Sequence, residues 1–429
     1  MRCSRLLSLL LALAPLDAAA QGCGPASFTP APGSIDGGMF FGLYTLEVGQ
    51  EPLQLAVGRF DGNRYPDLAV VNSVSNSVTV VLGDPNGNGT FAPAPGSPIA
   101  LTGGPGPDAI APSGIASADL DGDGHLDLVV VARESNTLTV LRGDGAGGFV
   151  RHAGLVLGDA NGFARRLAVG DFNGDGHVDV AATLFVGASL AIALGDGTGA
   201  LTLAPGSPLP LPGAVGPYDI AAARLVGDDA ALDLAVVDLM TDELTVLEGN
   251  GAGGFALYMQ PSAVTASAAR ATSVEAHDLD GDGRLDLVVG SGVPRNVPSD
   301  PMSMANRVGV FFNSVDGFSV LGDFIDVGAD VVAATAGDFD RDGDIDLLAT
   351  NGLPSMAATV GTQIGPRQFV RSIAPRAAIG AVQSVAADFN DDRQPDVGVL
   401  SQAGVLTVQL NACRPDVIAV HGFETAHAD

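Results

Sequence analysis

Residues 171–180, DFNGDGHVDV, set oxygen-bearing side chains at alternate positions of one short stretch: Asp171, Asn173, Asp175 and Asp179 stand at positions 1, 3, 5 and 9. The peptide carbonyl of His177 falls at position 7. Hard oxygen donors at this spacing suit calcium, which takes roughly six to eight of them at about 2.3 to 2.6 Å. Gly174 and Gly176 permit the sharp turning that such a cage needs. An EF-hand would close on a later Glu between two helices, whereas this loop closes on Asp179 and runs into a Val/Ala-rich apolar segment. The loop is therefore expected to join two strands.

One such loop is also an ordinary turn, so repetition decides. The frame recurs as Asp119, Asp121, Asp123 and Asp127 with the His125 carbonyl, and as Asp278, Asp280, Asp282 and Asp286 with the Arg284 carbonyl. It recurs again as Asp338, Asp340, Asp342 and Asp346 with the Asp344 carbonyl, and as Asp388, Asn390, Asp392 and Asp396 with the Gln394 carbonyl. These cages predict about five Ca2+ ions by simple count of the repeats. Two further copies begin with Arg59 and Arg224, and there the guanidinium is expected to reach Asp67 or Asp233 in place of an ion.

The first positions fall at 59, 119, 171, 224, 278, 338 and 388, a spacing of 50 to 60 residues that marks a repeat architecture. Each loop follows one apolar run and enters another, such as DLAVVN or DLVVVA, and a further run such as TLTVLRG follows one hairpin later. Apolar residues on both faces predict strands in a sheet covered on both sides. Four antiparallel strands in each of seven repeats give an all-β, seven-bladed β-propeller with calcium-binding loops. Position 2 is always Phe or Leu (Phe60, Leu120, Phe172, Leu225, Leu279, Phe339, Phe389), read as packing between blades. The last repeat has three strands, and the apolar run at 39–48 is expected to supply its fourth.

With these loops, and with Gly/Phe pairs such as Gly148-Phe149 and Gly254-Phe255 at the outer strand, the chain resembles the FG-GAP or VCBS type of calcium-binding propeller repeat. This type is also found in the head of integrin α-chains. The resemblance implies the fold and calcium; a propeller hosts many activities, so it leaves function open.

Around the repeats, the basic start and apolar run of residues 1–20 read as a signal peptide, followed by a linker at 21–37, the propeller at 38–413 and a tail at 414–429. The mature chain is then expected to be secreted, periplasmic or on the cell surface. Cys23 and Cys413 flank the closing segments and are expected to form a disulfide in an oxidising compartment. A net charge of -29 argues against nucleic acid and anionic membrane surfaces, and past the leader no apolar run is long enough to span a bilayer.

No histidine stands in a catalytic motif, and no glycine-rich stretch ends in the Lys-Ser/Thr pair of a phosphate loop. The leading expectation is a non-catalytic protein-interaction or adhesion-type module. The alternative is a lectin or polysaccharide-processing enzyme on a calcium propeller, against which the absence of Trp counts. A protein or glycan partner is expected on the face formed by loops 102–114, 291–307 and 351–358.

Overall fold

The computed structural model describes residues 28–29, 44–158, 162–263, 270–292, 307–319, 323–326, 331–352, 357–365, 367–376 and 380–411. The leader, Cys23, Cys413, the tail, and residues 293–306 and 353–356 of the expected partner loops lie outside these residues.

Every acidic loop runs into a strand with no exposed face, among them Asp67–Asn72, Asp127–Ala132, Asp179–Leu184, Asp233–Asp238 and Asp346–Asn351. Strands of this kind must be covered from both sides, and stacking against neighbouring blades covers them. The strand before each loop is the innermost of its blade. These inner strands are Pro52–Gly58, Pro112–Ala118, Ala164–Gly170, Pro217–Ala223, Arg270–His277, Val331–Gly337 and Ala381–Ala387. Each touches the next and the last touches the first, so they ring a central axis. We number the blades 1 to 7 in that order.

Within a blade the strands pair antiparallel in sequence order, as in Pro217–Ala223, Asp233–Asp238, Glu243–Gly249 and Phe255–Ala263 of blade 4. The outer strands of blades 1 and 3 are interrupted: Phe91–Pro93 and Ile99–Ala100 share one partner strand, as do Leu201–Leu203 and Leu209–Pro210. In blade 7, Tyr44–Glu47 pairs with Val405–Asn411 as its outer strand, joined by Phe28–Thr29. An early segment thus completes the last sheet and closes the ring. No helix among the described residues is long and apolar enough to cross a membrane.

The apolar core lies between blades. One cluster joins Phe60, Ala69 and Val71 of blade 1 to Ile115, Leu128 and Phe149 of blade 2, and another joins Leu55, Leu68 and Phe91 of blade 1 to Phe389, Leu400 and Leu406 of blade 7. The position-2 residues sit inside these clusters, none more than 3 % exposed. Phe60 meets Phe149 edge-on at 5.3 Å, Phe172 meets Phe255 at 5.5 Å and Phe389 meets Phe91 at 5.5 Å, each across a blade boundary. Truncating such a ring leaves a cavity that two sheets cannot both collapse into. Phe172→Ala should cost about 3 to 5 kcal/mol in urea unfolding. A loss below about 1 kcal/mol would contradict this packing.

Candidate functional site

All the acidic loops lie on one face of the ring, between the first and second strands of the blades. Their curl is written in hydrogen bonds from backbone N–H groups to carboxylates. In blade 3 the Asp171 carboxylate accepts from Gly174 and Gly176, Asn173 Oδ1 from Asp175, and Asp175 Oδ1 from His177. Blades 2 and 5 repeat this pattern through Asp119, Asp121 and Asp123 and through Asp278, Asp280 and Asp282. In blades 6 and 7 the same turns run through Asp338, Asp340 and Asp342 and through Asp388, Asn390 and Asp392. Positions 4 and 6 take left-handed backbone, Gly174 at φ 75° and Gly176 at φ 86°. Arg341, Asp391 and Arg393 hold that conformation without being glycine, at a cost of roughly 1 kcal/mol or more each.

The loops gather oxygens tightly enough for a cation. Asp119, Asp121 and Asp127, then Asp278, Asp280 and Asp282, then Asp338, Asp340 and Asp346 each bring carboxylate atoms within 4.8 Å of one another. In blades 3 and 7 position 3 is an asparagine, which offers a neutral oxygen beside Asp171, Asp175 and Asp179 or Asp388, Asp392 and Asp396. Carboxylate and amide oxygens without sulfur fit a hard divalent ion. The side chains of His125 and His177 are exposed at position 7, where only the peptide carbonyl is asked to serve. Arginines already touch two of these carboxylates: Arg142 meets Asp121 at 2.6 Å, and Arg367, on a hairpin of blade 6, meets Asp280 of blade 5 at 2.7 Å.

Position 9 plays a different part. Asp67, Asp127, Asp179, Asp233, Asp286, Asp346 and Asp396 are at most 1 % exposed. One oxygen of each accepts the N–H of position 2, as from Phe172 to Asp179 at 2.9 Å, and the other accepts an N–H at the end of the third strand, as from Gly195 at 2.8 Å. Blades 1 and 4, whose loops begin with arginine, keep the arrangement: Phe60 and Gly83 donate to Asp67, and Leu225, Val226 and Gly249 to Asp233. The expected pairing of Arg59 with Asp67 and of Arg224 with Asp233 is therefore corrected. Both arginines are exposed, and backbone donors occupy the carboxylates they were to reach.

Burial pushes the carboxyls of Asp67, Asp127, Asp179, Asp286, Asp346 and Asp396 up, against the pull of those backbone donors, and nearby loop carboxylates add to it. Asp286 reaches about 6, Asp346 about 7 and Asp396 about 8. At position 3, Asp340 is pushed to about 6 by burial and then by Asp342.

How loops reach across blades was not legible in the sequence. The position-2 carbonyl accepts a bond from the next blade: Phe60 from Gly147, Leu120 from Gly199 and Phe172 from Gly253. In later blades an amide side chain does this, Asn313 to Leu225, Gln363 to Leu279 and Asn411 to Phe339. A visible trace is that the residue whose N–H meets the position-9 carboxylate after the third-strand run is Gly, Asn or Gln in all seven blades. Around the axis, side chains likewise bridge inner strands: Gln54 Oε1 accepts from Ile115, Asp219 Oδ2 from Val274, Ser273 Oγ from Ala334 and Gln383 Oε1 from Leu55.

Asp233→Ala would strand the buried N–H groups of Leu225, Val226 and Gly249. At about 1 kcal/mol or more for each, unfolding in urea should show a loss of at least about 3 kcal/mol. A loss under about 1 kcal/mol would mean the carboxylate holds nothing. Asp346 and Asp396 bind protons more tightly folded, at about 7 and about 8, than an unfolded Asp does. An unfolded Asp titrates near about 3.9. The folded chain then carries more protons through this window, so stability in chelator should fall as pH rises from about 4 to about 8. Urea midpoints that rise over that range would contradict the burial of these groups.

A family model described as FG-GAP-like repeat matches residues 59–130, 119–182 and 228–289. No curated protein matches the chain. Among solved structures, a protein from Lactobacillus plantarum is similar at TM-score 0.55 and 14 % identity, covering 78 % of this chain and 87 % of its own. BBS1N, solved in complex with ARL6DN, is similar at TM-score 0.53 and 12 % identity, covering 85 % of this chain and 98 % of its own. A chain of the Mitotic Checkpoint Complex is similar at TM-score 0.53 and 12 % identity, covering 95 % and 98 %. At these identities the likeness is one of fold.

Proposed function

Because the chain is a seven-bladed propeller of FG-GAP-like repeats, we propose that it is an exported, calcium-stabilised, non-catalytic module that binds a partner protein. The observation that carries this reading is the set of five pre-curled loops rich in carboxylate and amide oxygens, three of which draw three carboxylates within 4.8 Å. The residues that would hold the ions are those at positions 1, 3, 5 and 9 of blades 2, 3, 5, 6 and 7, with the position-7 carbonyls. A bound divalent cation supplies charge that offsets the carboxylates' mutual repulsion. Two such charges about 4 Å apart repel by roughly 4 kcal/mol at an effective dielectric near 20.

The loops spend their acids on the metal and on the frame, which leaves recognition to the other face. There the blade-to-blade linkers and the turns after each second strand lie on a rigid ring, where binding residues tend to be placed. Similar propellers have been solved inside protein complexes, BBS1N with ARL6DN among them. Export rests on the signal-like leader in the sequence.

At about 1 mM calcium and a dissociation constant near 0.1 mM, each filled site adds about 1.4 kcal/mol by mass action. EDTA should therefore lower the melting temperature markedly, and native mass spectrometry should count five bound calcium ions. An unchanged melting curve in EDTA would overturn the calcium reading. Seven ions would show that the loops beginning with Arg59 and Arg224 also bind.

A further inference from the structure

On the face opposite the acidic loops, four segments from three blades bring arginines and aromatic rings together. Arg133 follows the second strand of blade 2, Phe163 and Arg165 open blade 3, Phe185 follows its second strand, and Tyr218 opens blade 4. The Arg165 guanidinium lies 4.9 Å from the ring centres of Phe163 and Phe185 and 5.8 Å from that of Tyr218. Stacking between rings covers the flat faces of the group and leaves its edge, where the N–H bonds point, to meet a ligand. The Nε atoms of both Arg165 and Arg133 are enclosed and have no hydrogen-bond partner among the described residues. Arg165 is held below its ordinary value by burial, and Arg133 and Arg166 lower it further, so the like charges sit close together.

Two of the nearby acids are already committed. Asp238 accepts the N–H groups of Val215, Gly216, Met240 and Thr241. Asp219 accepts from Val274 and faces Arg166, which donates to the carbonyls of Ser113 and Leu53. Arg133 and Arg165 thus present positive charge without an ion-pair partner among the described residues of a chain that carries -29 overall. Beside them lies apolar surface: Val186 is 61 % exposed, Val215 56 % and Met240 51 %, and Met240 and Phe185 both flank Gly216.

We infer that this surface is a docking site for an acidic peptide segment of a partner protein, with a carboxylate on the edges of Arg165 and Arg133 and a neighbouring apolar side chain on Met240, Val186 and Val215. Guanidinium edges pair with carboxylates in two parallel bonds, and a methionine adapts to varied apolar side chains. The rings that a sugar would stack on are already covered by Arg165, which favours a peptide over a glycan. Elsewhere the acidic surface repels the same ligand, which confines it here. The inference rests on the reading of the propeller as an interaction module and names the chemistry of its partner.

The test uses the full chain with calcium and a short fluorescein-labelled peptide of Glu, Leu and Gly, read by anisotropy. Binding should weaken with salt, vanish when Gln replaces Glu, and fall about tenfold or more in Arg165→Gln. Met240→Glu changes an exposed position and should abolish binding with the melting curve unchanged. Arg64→Gln, on the acidic-loop face, should bind as the parent does. No binding, equal binding of the Gln peptide, indifference to Arg165→Gln and Met240→Glu, or tighter binding of polyglucuronate would overturn the inference. The EDTA melting shift measured on the same samples stands apart: if it persists while the peptide fails, the calcium module survives and only this site is lost.

Discussion

Seven buried aspartates hold this propeller in shape, each receiving backbone N–H groups from two distant points of its blade. Asp179 shows the arrangement: Phe172 at the head of the loop bonds to one oxygen and Gly195 at the end of the third strand to the other. The carboxylate thereby fixes where the loop leaves the inner strand and where the outer hairpin begins. It also orients Phe172, whose ring enters the core shared with blade 4 and whose carbonyl accepts from Gly253 of that blade. A polar contact inside one sheet so becomes a constraint between sheets. Without these donors a buried carboxylate would be too costly to keep, and without the carboxylate the N–H groups would be stranded.

The exposed acidic edge of the loops is layered onto this frame. Blades 1 and 4 lack the acid at position 1 and still fold their loops, with Asp67 and Asp233 bonded as elsewhere. The bonds from backbone to the position-9 carboxylate are thus kept where the first acid is missing. In the other five, the outer carboxylates crowd one another, and Arg142 and Arg367 reach in to Asp121 and Asp280. On the proposed calcium reading, the exposed half of each loop is the part whose order responds to the ion, while the buried half belongs to the ring.

Period, strand polarity and the curl of the loops were legible because each is local: a ten-residue stretch such as that around Asp171 carries its own geometry, and it repeats. The closure of the ring by Tyr44–Glu47 was legible from a count of strands. The interblade amides Asn313, Gln363 and Asn411 were not, since their acceptors lie 88, 84 and 72 residues away. Arg59 and Arg224 misled because a cation at a ligand position reads as a substitute ion, whereas both side chains lie exposed and backbone N–H groups meet Asp67 and Asp233. The Arg165 cluster was hidden for a further reason: its rings and charges come from three blades and meet only when the blades stack.

Hydrogen exchange measured by mass spectrometry, with calcium and after EDTA, tests the separation of frame from metal edge most directly. The account predicts that chelation speeds exchange at positions 4 to 7 of the loops in blades 2, 3, 5, 6 and 7. The corresponding loops at 59–67 and 224–233 should be unchanged, and the amides of Phe172 and Gly195, bonded to Asp179, should stay protected. Equal change in all seven loops, or no change in any, would contradict it.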